Sequence, residues 1–132
     1  MRSLLLTLLL VLPLIASADF SSFSTGPVIE DYGPVADIEV TLTIPEDAEF
    51  RHSFDVSTPA ADGEPNRTLV SAARFINMHA RAGVDTDKIE LAVIVHGKAV
   101  HDVSAETSSS ADLVAALIEE HQPIARRVEE AP

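Results

Sequence analysis

Between Asn66 and Gly97 the spacing of apolar residues changes from helical to strand-like, and that change constrains the fold more than any other feature of the chain. Leu69, Ala73, Ile76 and Ala80 recur at steps of four, three and four, which lines one side of a helix. Asn66 is placed to cap that helix at Arg67, and Gly83, just past Ala82, to stop it. Arg74 and Arg81 lie off the stripe and are expected in water. After the link Val84–Lys88, Leu91 to Val95 is an unbroken apolar run, the pattern of a strand covered on both faces in an α/β sheet. Upstream, FRHSFDV (Phe50–Val56) sets Phe50, His52, Phe54 and Val56 on one side of another strand. Strand, helix, strand is a crossover unit, parallel and right-handed if the strands are neighbours.

The flanks are less regular. Ile38, Val40, Leu42 and Ile44 alternate with Glu39, Thr41 and Thr43, the pattern of a half-buried strand over 35–44 that Pro45 ends, and a short arm and an edge strand are equally compatible with this stretch. Residues 19–34, rich in Ser, Gly and Pro, read as a flexible arm, and Ser57–Pro65 as a turn-rich link. Ala99–Val103 fits either a small strand or the start of a helix. Asp112 can cap a helix over Leu113–Glu120, with Leu113, Ala116 and Leu117 as a weak stripe, and Pro123 limits it. The domain is expected over 35–122, followed by a polar tail over 123–132.

Residues 1–18, MRSLLLTLLLVLPLIASA, combine an early Arg2, an apolar run from Leu4 to Ile15 and the small-x-small end Ala16-Ser17-Ala18. This is the pattern of a cleaved signal peptide. A membrane anchor needs about 20 apolar residues, and Pro13 interrupts this run. Cleavage would leave 114 residues beginning at Asp19, enough for one domain with a modest core. The segment removes only Arg2 from the 9 Lys and Arg and none of the 21 Asp and Glu, so the mature formal charge is -13. That balance disfavours nucleic acid and anionic lipid. The chain has no cysteine, which removes disulfides, thiolate chemistry and Cys-ligated metal from its own repertoire.

The run ARFINMHARAGVDTDKIELAVIVHGKAVHDV (Ala73–Val103) resembles the DsrE/DsrF-like (YchN-like) family, especially its secreted members. GPVIEDYGPVADIEV (Gly26–Val40) and FRHSFDVS (Phe50–Ser57) are similar to the opening of those proteins. The resemblance implies a three-layer α/β/α sandwich with a mainly parallel sheet, a homo-oligomer, and an association with sulfur metabolism in the periplasm. Family members generally continue into another strand that ends in a Cys-Gly pair, whose cysteine carries persulfide in the sulfur-relay members. This chain reaches Pro132 without either, so the expected domain is incomplete at its C-terminus and no residue inherits the relay role.

What carries over is the strand-end loop His96-Gly97-Lys98. Open α/β sheets bind ligands at the carboxyl ends of their strands. Gly97 would let a ligand approach the backbone, and Lys98 would neutralise an anion. The alternative is that His96 bonds within its own loop and Gly97 only permits the turn. His96, His101 and His52 could share a metal only if the fold gathered them, and no metal or other cofactor is assigned. His79 is expected on a partly buried helix face, and His121 at a helix end. Asp47 and Glu49 flank a turn, where solvated acids belong, and no catalytic residue is assigned. The sequence thus points to a non-catalytic secreted protein that binds a protein partner or a small anionic ligand. The alternative is sulfur transfer or other enzymatic activity at a subunit edge, with His96 and thiols supplied by a partner.

Overall fold

The computed structural model describes residues 21–39, 41–104 and 108–120. The expected signal peptide, the polar tail, Val40 and His121 lie outside these residues. Four strands and three helices follow in order: β1 (Phe23–Ser24), β2 (Val35–Ala36), β3 (Phe50–Val56), α1 (Arg67–Arg81), β4 (Ile89–Val95), α2 (Val100–Ser104) and α3 (Ala111–Glu120). Short 3₁₀ turns at Thr86–Lys88 and Gly97–Ala99 lead into and out of β4.

The crossover unit forms as its pattern dictates. β3 and β4 pair in parallel, with Phe50 opposite Ile89 and Val56 opposite Val95. The helix between them starts at Asn66, whose side-chain oxygen accepts the Thr68 N–H at 3.0 Å. It stops at Gly83, which adopts φ +87 while its N–H and that of Val84 close on the carbonyls of Ala80 and His79. The apolar stripe turns inward: Leu69, Ala73 and Ile76 are buried and meet Val56, Ile89 and Leu91 from the sheet. Each large aliphatic side chain removed from water here contributes roughly 1.5–3 kcal/mol. Leu113 and Leu117 of α3 complete this core. Ala99–Val103 resolves as helix, not strand.

Coverage of the sheet differs from the expectation for an unbroken apolar run. Along β4, Ile89 and Leu91 are buried while Glu90, Ala92 and Ile94 are exposed, Ile94 to 54%. On β3, Arg51, Ser53 and Asp55 are likewise exposed. Among the described residues the helices therefore cover one face, and the other carries Arg51, bonded to Glu90 at 2.8 Å across the strands. The fold is mixed α/β around a parallel pair.

The alternating segment beyond β2 behaves differently again. Of the strand expected over 35–44, only Val35–Ala36 pairs, antiparallel with β1. Ile38 and Leu42 stand 73% and 80% exposed. Alternation expresses a preference for two faces, but a strand also needs a neighbour for its backbone groups, and none lies beside 37–45 among the described residues.

The stretch expected as an arm is, from Gly26 onward, part of the core. Ile29 is buried and Gly33 sits against the backbone of α1. Fully buried Asn77 accepts the N–H groups of Val28 at 3.2 Å and Ile29 at 2.9 Å. Its amide donates to the carbonyls of Ile29, Tyr32 and Gly33. Arg81, expected in water, lies only 20% exposed and donates to the carbonyls of Ser24, Thr25, Gly26 and Val35 and to Asp37. Arg74 is exposed, though its Nε donates to the Pro34 carbonyl.

Candidate functional site

Because β3 and β4 run parallel and in register, their carboxyl ends coincide at Val56 and Val95. The His96 N–H extends the ladder by one bond, to the Val56 carbonyl at 3.0 Å. His96 is itself extended, φ -147 and ψ 176. Its side chain thus continues the series Glu90, Ala92, Ile94 on the uncovered face. Asp55 continues the series Arg51, Ser53 on the same face. The two meet across the strand ends, with His96 Nε2 2.9 Å from Asp55 Oδ1. Both side chains are more than half exposed.

Sequence reasoning singled out His96 and missed Asp55. The signal was present in the alternation of FRHSFDV, which puts Arg51, Ser53 and Asp55 opposite the phenylalanines. Only the parallel register decides that Asp55 is the carboxylate beside His96.

Beyond His96 the chain turns sharply. Gly97 adopts φ +60, a left-handed conformation that a side chain disfavours. A Cβ there would meet only the Ser57 carbonyl, at 3.7 Å, so the glycine serves the turn and leaves the approach open. Lys98 is exposed, and no carboxylate among the described residues pairs with it. His96, Gly97 and Lys98 therefore stand together at the strand ends, joined by Asp55.

The loop leaving β3 is held beside this edge by a polar network. Asp102 Oδ2 accepts the Ala60 N–H at 2.8 Å and the Asn66 amide at 2.7 Å. The same amide reaches the Thr58 carbonyl, and the Asn66 N–H donates to Ser110 Oγ. Asn66 and Ser110 are buried, so these bonds satisfy groups that would otherwise be costly. The network makes the edge a defined frame, with helices α2 and α3 tied to the start of α1.

His52 and His79 are not gathered at the edge. His52 points to the α1 side of the sheet, stacked on Phe75 at 5.2 Å and edge-on to Phe54 at 4.6 Å. It lies on the face opposite His96. His79, half-buried on α1, packs against Phe50 and Phe75 and meets the Phe75 carbonyl through Nδ1 at 2.7 Å. Among the described residues no group of three or more His, Asp or Glu side chains is arranged to hold a metal. No helix among them is long and apolar enough to cross a membrane. Among the described residues, a cleft of about 520 Å³ lies beside Pro45, Gly83 and Lys88, and another of about 460 Å³ between Tyr32, Asp112 and Glu119.

No family model matches the chain, and neither curated proteins nor solved structures include a match.

Proposed function

We propose that this chain is a secreted, DsrE/DsrF-like protein that binds a small anionic ligand or a protein partner at His96, Gly97 and Lys98 and performs no catalysis itself. The observation that carries this reading is the succession, at the carboxyl ends of two parallel strands, of an oriented imidazole, an open glycine turn and an exposed lysine with no carboxylate partner among the described residues. Residues 1–18 direct it to the periplasm and are removed there. The uncovered face of β3 and β4, with exposed Ile94 opposite Asp55 near its carboxyl end, supports assembly as a homo-oligomer in which a second copy completes the layers of a three-layer sandwich. The link to sulfur metabolism rests on the sequence resemblance alone.

Light scattering on a sizing column, with the Asp19–Pro132 chain and its thermal melt, tests the assembly. A discrete oligomer with a cooperative melt is expected, and a monodisperse monomer overturns it. Replacing His96 and Lys98 together by alanine tests the site: ligand- or partner-dependent shifts in the melt should disappear. A second reading, base-assisted sulfur transfer, is favoured by the His96–Asp55 pair, since a carboxylate that orients an imidazole suits a general base. The cysteine-free chain would then need every thiol from a partner. Turnover of a partner persulfide that is lost in His96→Ala would establish it.

A further inference from the structure

We infer that Asp55 makes the strand-end site selective for a small oxyanion that carries its own hydrogen, such as monohydrogen phosphate, over one that carries none, such as sulfate. The inference rests on the ligand-binding reading above and specifies the ligand chemistry.

A carboxylate only accepts hydrogen bonds. The 2.9 Å contact between His96 Nε2 and Asp55 Oδ1 therefore places a hydrogen on Nε2. In the neutral ring Nδ1 is then a bare acceptor. Nδ1 is also the ring nitrogen nearer the main chain, and the main chain beyond it is Gly97, which has no side chain to obstruct it. Lys98 follows directly and offers an ammonium without a carboxylate partner among the described residues. The strand-end turn thus offers one acceptor on His96 and, two residues on, one positive donor on Lys98.

Monohydrogen phosphate satisfies both at once: its P–O–H donates to Nδ1, and a charged oxygen accepts from Lys98 Nζ. Sulfate has the same shape and charge but no hydrogen at neutral pH, so its oxygens would face the Nδ1 lone pair. Sites that rely on a hydrogen bond discriminate against analogues that cannot make it. The overall acidity of the chain does not prevent this. Exposed charges more than about 8 Å away are largely screened at physiological ionic strength, and the single negative charge of Asp55 is matched by the single positive charge of Lys98.

Asp55 touches no ligand in this arrangement. It is a positioning residue that acts through His96, and without it the imidazole is free to present either nitrogen. The Asp55 side chain is 64% exposed, so its replacement leaves the core intact.

The test is a nuclear magnetic resonance titration of the Asp19–Pro132 chain with inorganic phosphate and, separately, with sodium sulfate, following the His96 ring nitrogens and the Lys98 signals. The wild type should show the Nε2–H form and bind phosphate about tenfold more tightly than sulfate, a difference of about 1.4 kcal/mol. Asp55→Ala should mix the two ring forms and remove the preference with an unchanged melt, whereas His96→Ala should lose the phosphate response. Equal phosphate and sulfate affinities in the wild type, or a preference that survives in Asp55→Ala, overturn this inference while leaving a ligand site at His96. No response of the wild type to either anion overturns the small-anion reading of the site and this inference with it.

Discussion

Asn77→Ala is expected to be among the most damaging single substitutions in the described part of the chain. Asn77 is fully buried and holds the segment 28–33 against α1 through both ends of its amide. Truncation leaves the buried N–H of Ile29 and carbonyl of Gly33 without their partner. The Ile29 carbonyl keeps the Gly26 N–H at 3.0 Å, and Val28 and Tyr32, half-buried, can turn to water. Each orphaned buried group costs about 1–3 kcal/mol, so with lost packing the expected loss is about 3–5 kcal/mol. Domains of this size are stable by about 5–15 kcal/mol in all. Urea unfolding followed by circular dichroism measures the loss. With a slope of about 1–3 kcal/mol per molar, the midpoint should fall by roughly 2 M. Ser71→Ala, an exposed position on the same helix, should stay within about 0.5 kcal/mol of wild type. A loss in Asn77→Ala below about 1 kcal/mol would refute the claim that this amide anchors the segment.

Gly33 and Gly97, both with positive φ, separate crowding from conformational strain. A Cβ on Gly33 would lie 2.2 Å from the Arg74 nitrogen and 2.5 Å from the Ala73 carbonyl carbon, so Gly33→Ala must push the segment off α1 and should cost about 3 kcal/mol or more in the same melt. Gly97→Ala has room and should cost only about 1–2 kcal/mol of backbone strain; near-equal costs at the two positions would contradict the close approach at Gly33. Arg81→Lys keeps the charge but loses the planar fork that collects the carbonyls of residues 24–26 and 35. Limited proteolysis should then cut between Ser24 and Asp37 faster than in wild type, with the core fragment surviving; an unchanged cleavage pattern would show that Arg81 is dispensable.

Local pattern made the crossover unit legible. The four-three-four stripe, the Asn66 cap and the Gly83 stop belong to single segments whose geometry depends on near neighbours, and all three stand in the structure. Parallel pairing of β3 and β4 followed from connectivity, because a strand joined to the next by a helix returns in the same direction. His96 and Lys98 were placed at a strand end by the same logic. The segment over 37–45 shows where pattern stops being informative: Ile38 and Leu42 carry a strand's alternation without a partner beside them.

The polar clamps were beyond that logic. A stripe argument assigns every polar residue on a helix to water, so Asn77, one position past Ile76, and Arg81 had no signal of their own. Their burial depends on Gly33 bringing residues 26–36 against α1, a contact between parts of the chain more than forty residues apart. Asp55 is a similar case, since alternation gave its face and only the register between strands gave its neighbour. Sequence by itself determined the elements whose hydrogen bonds close within a few residues, together with the charge and the lack of a thiol. Tertiary structure alone decided which polar groups lost their water and which side chains became partners, because desolvation and pairing depend on distances that the order of residues does not encode.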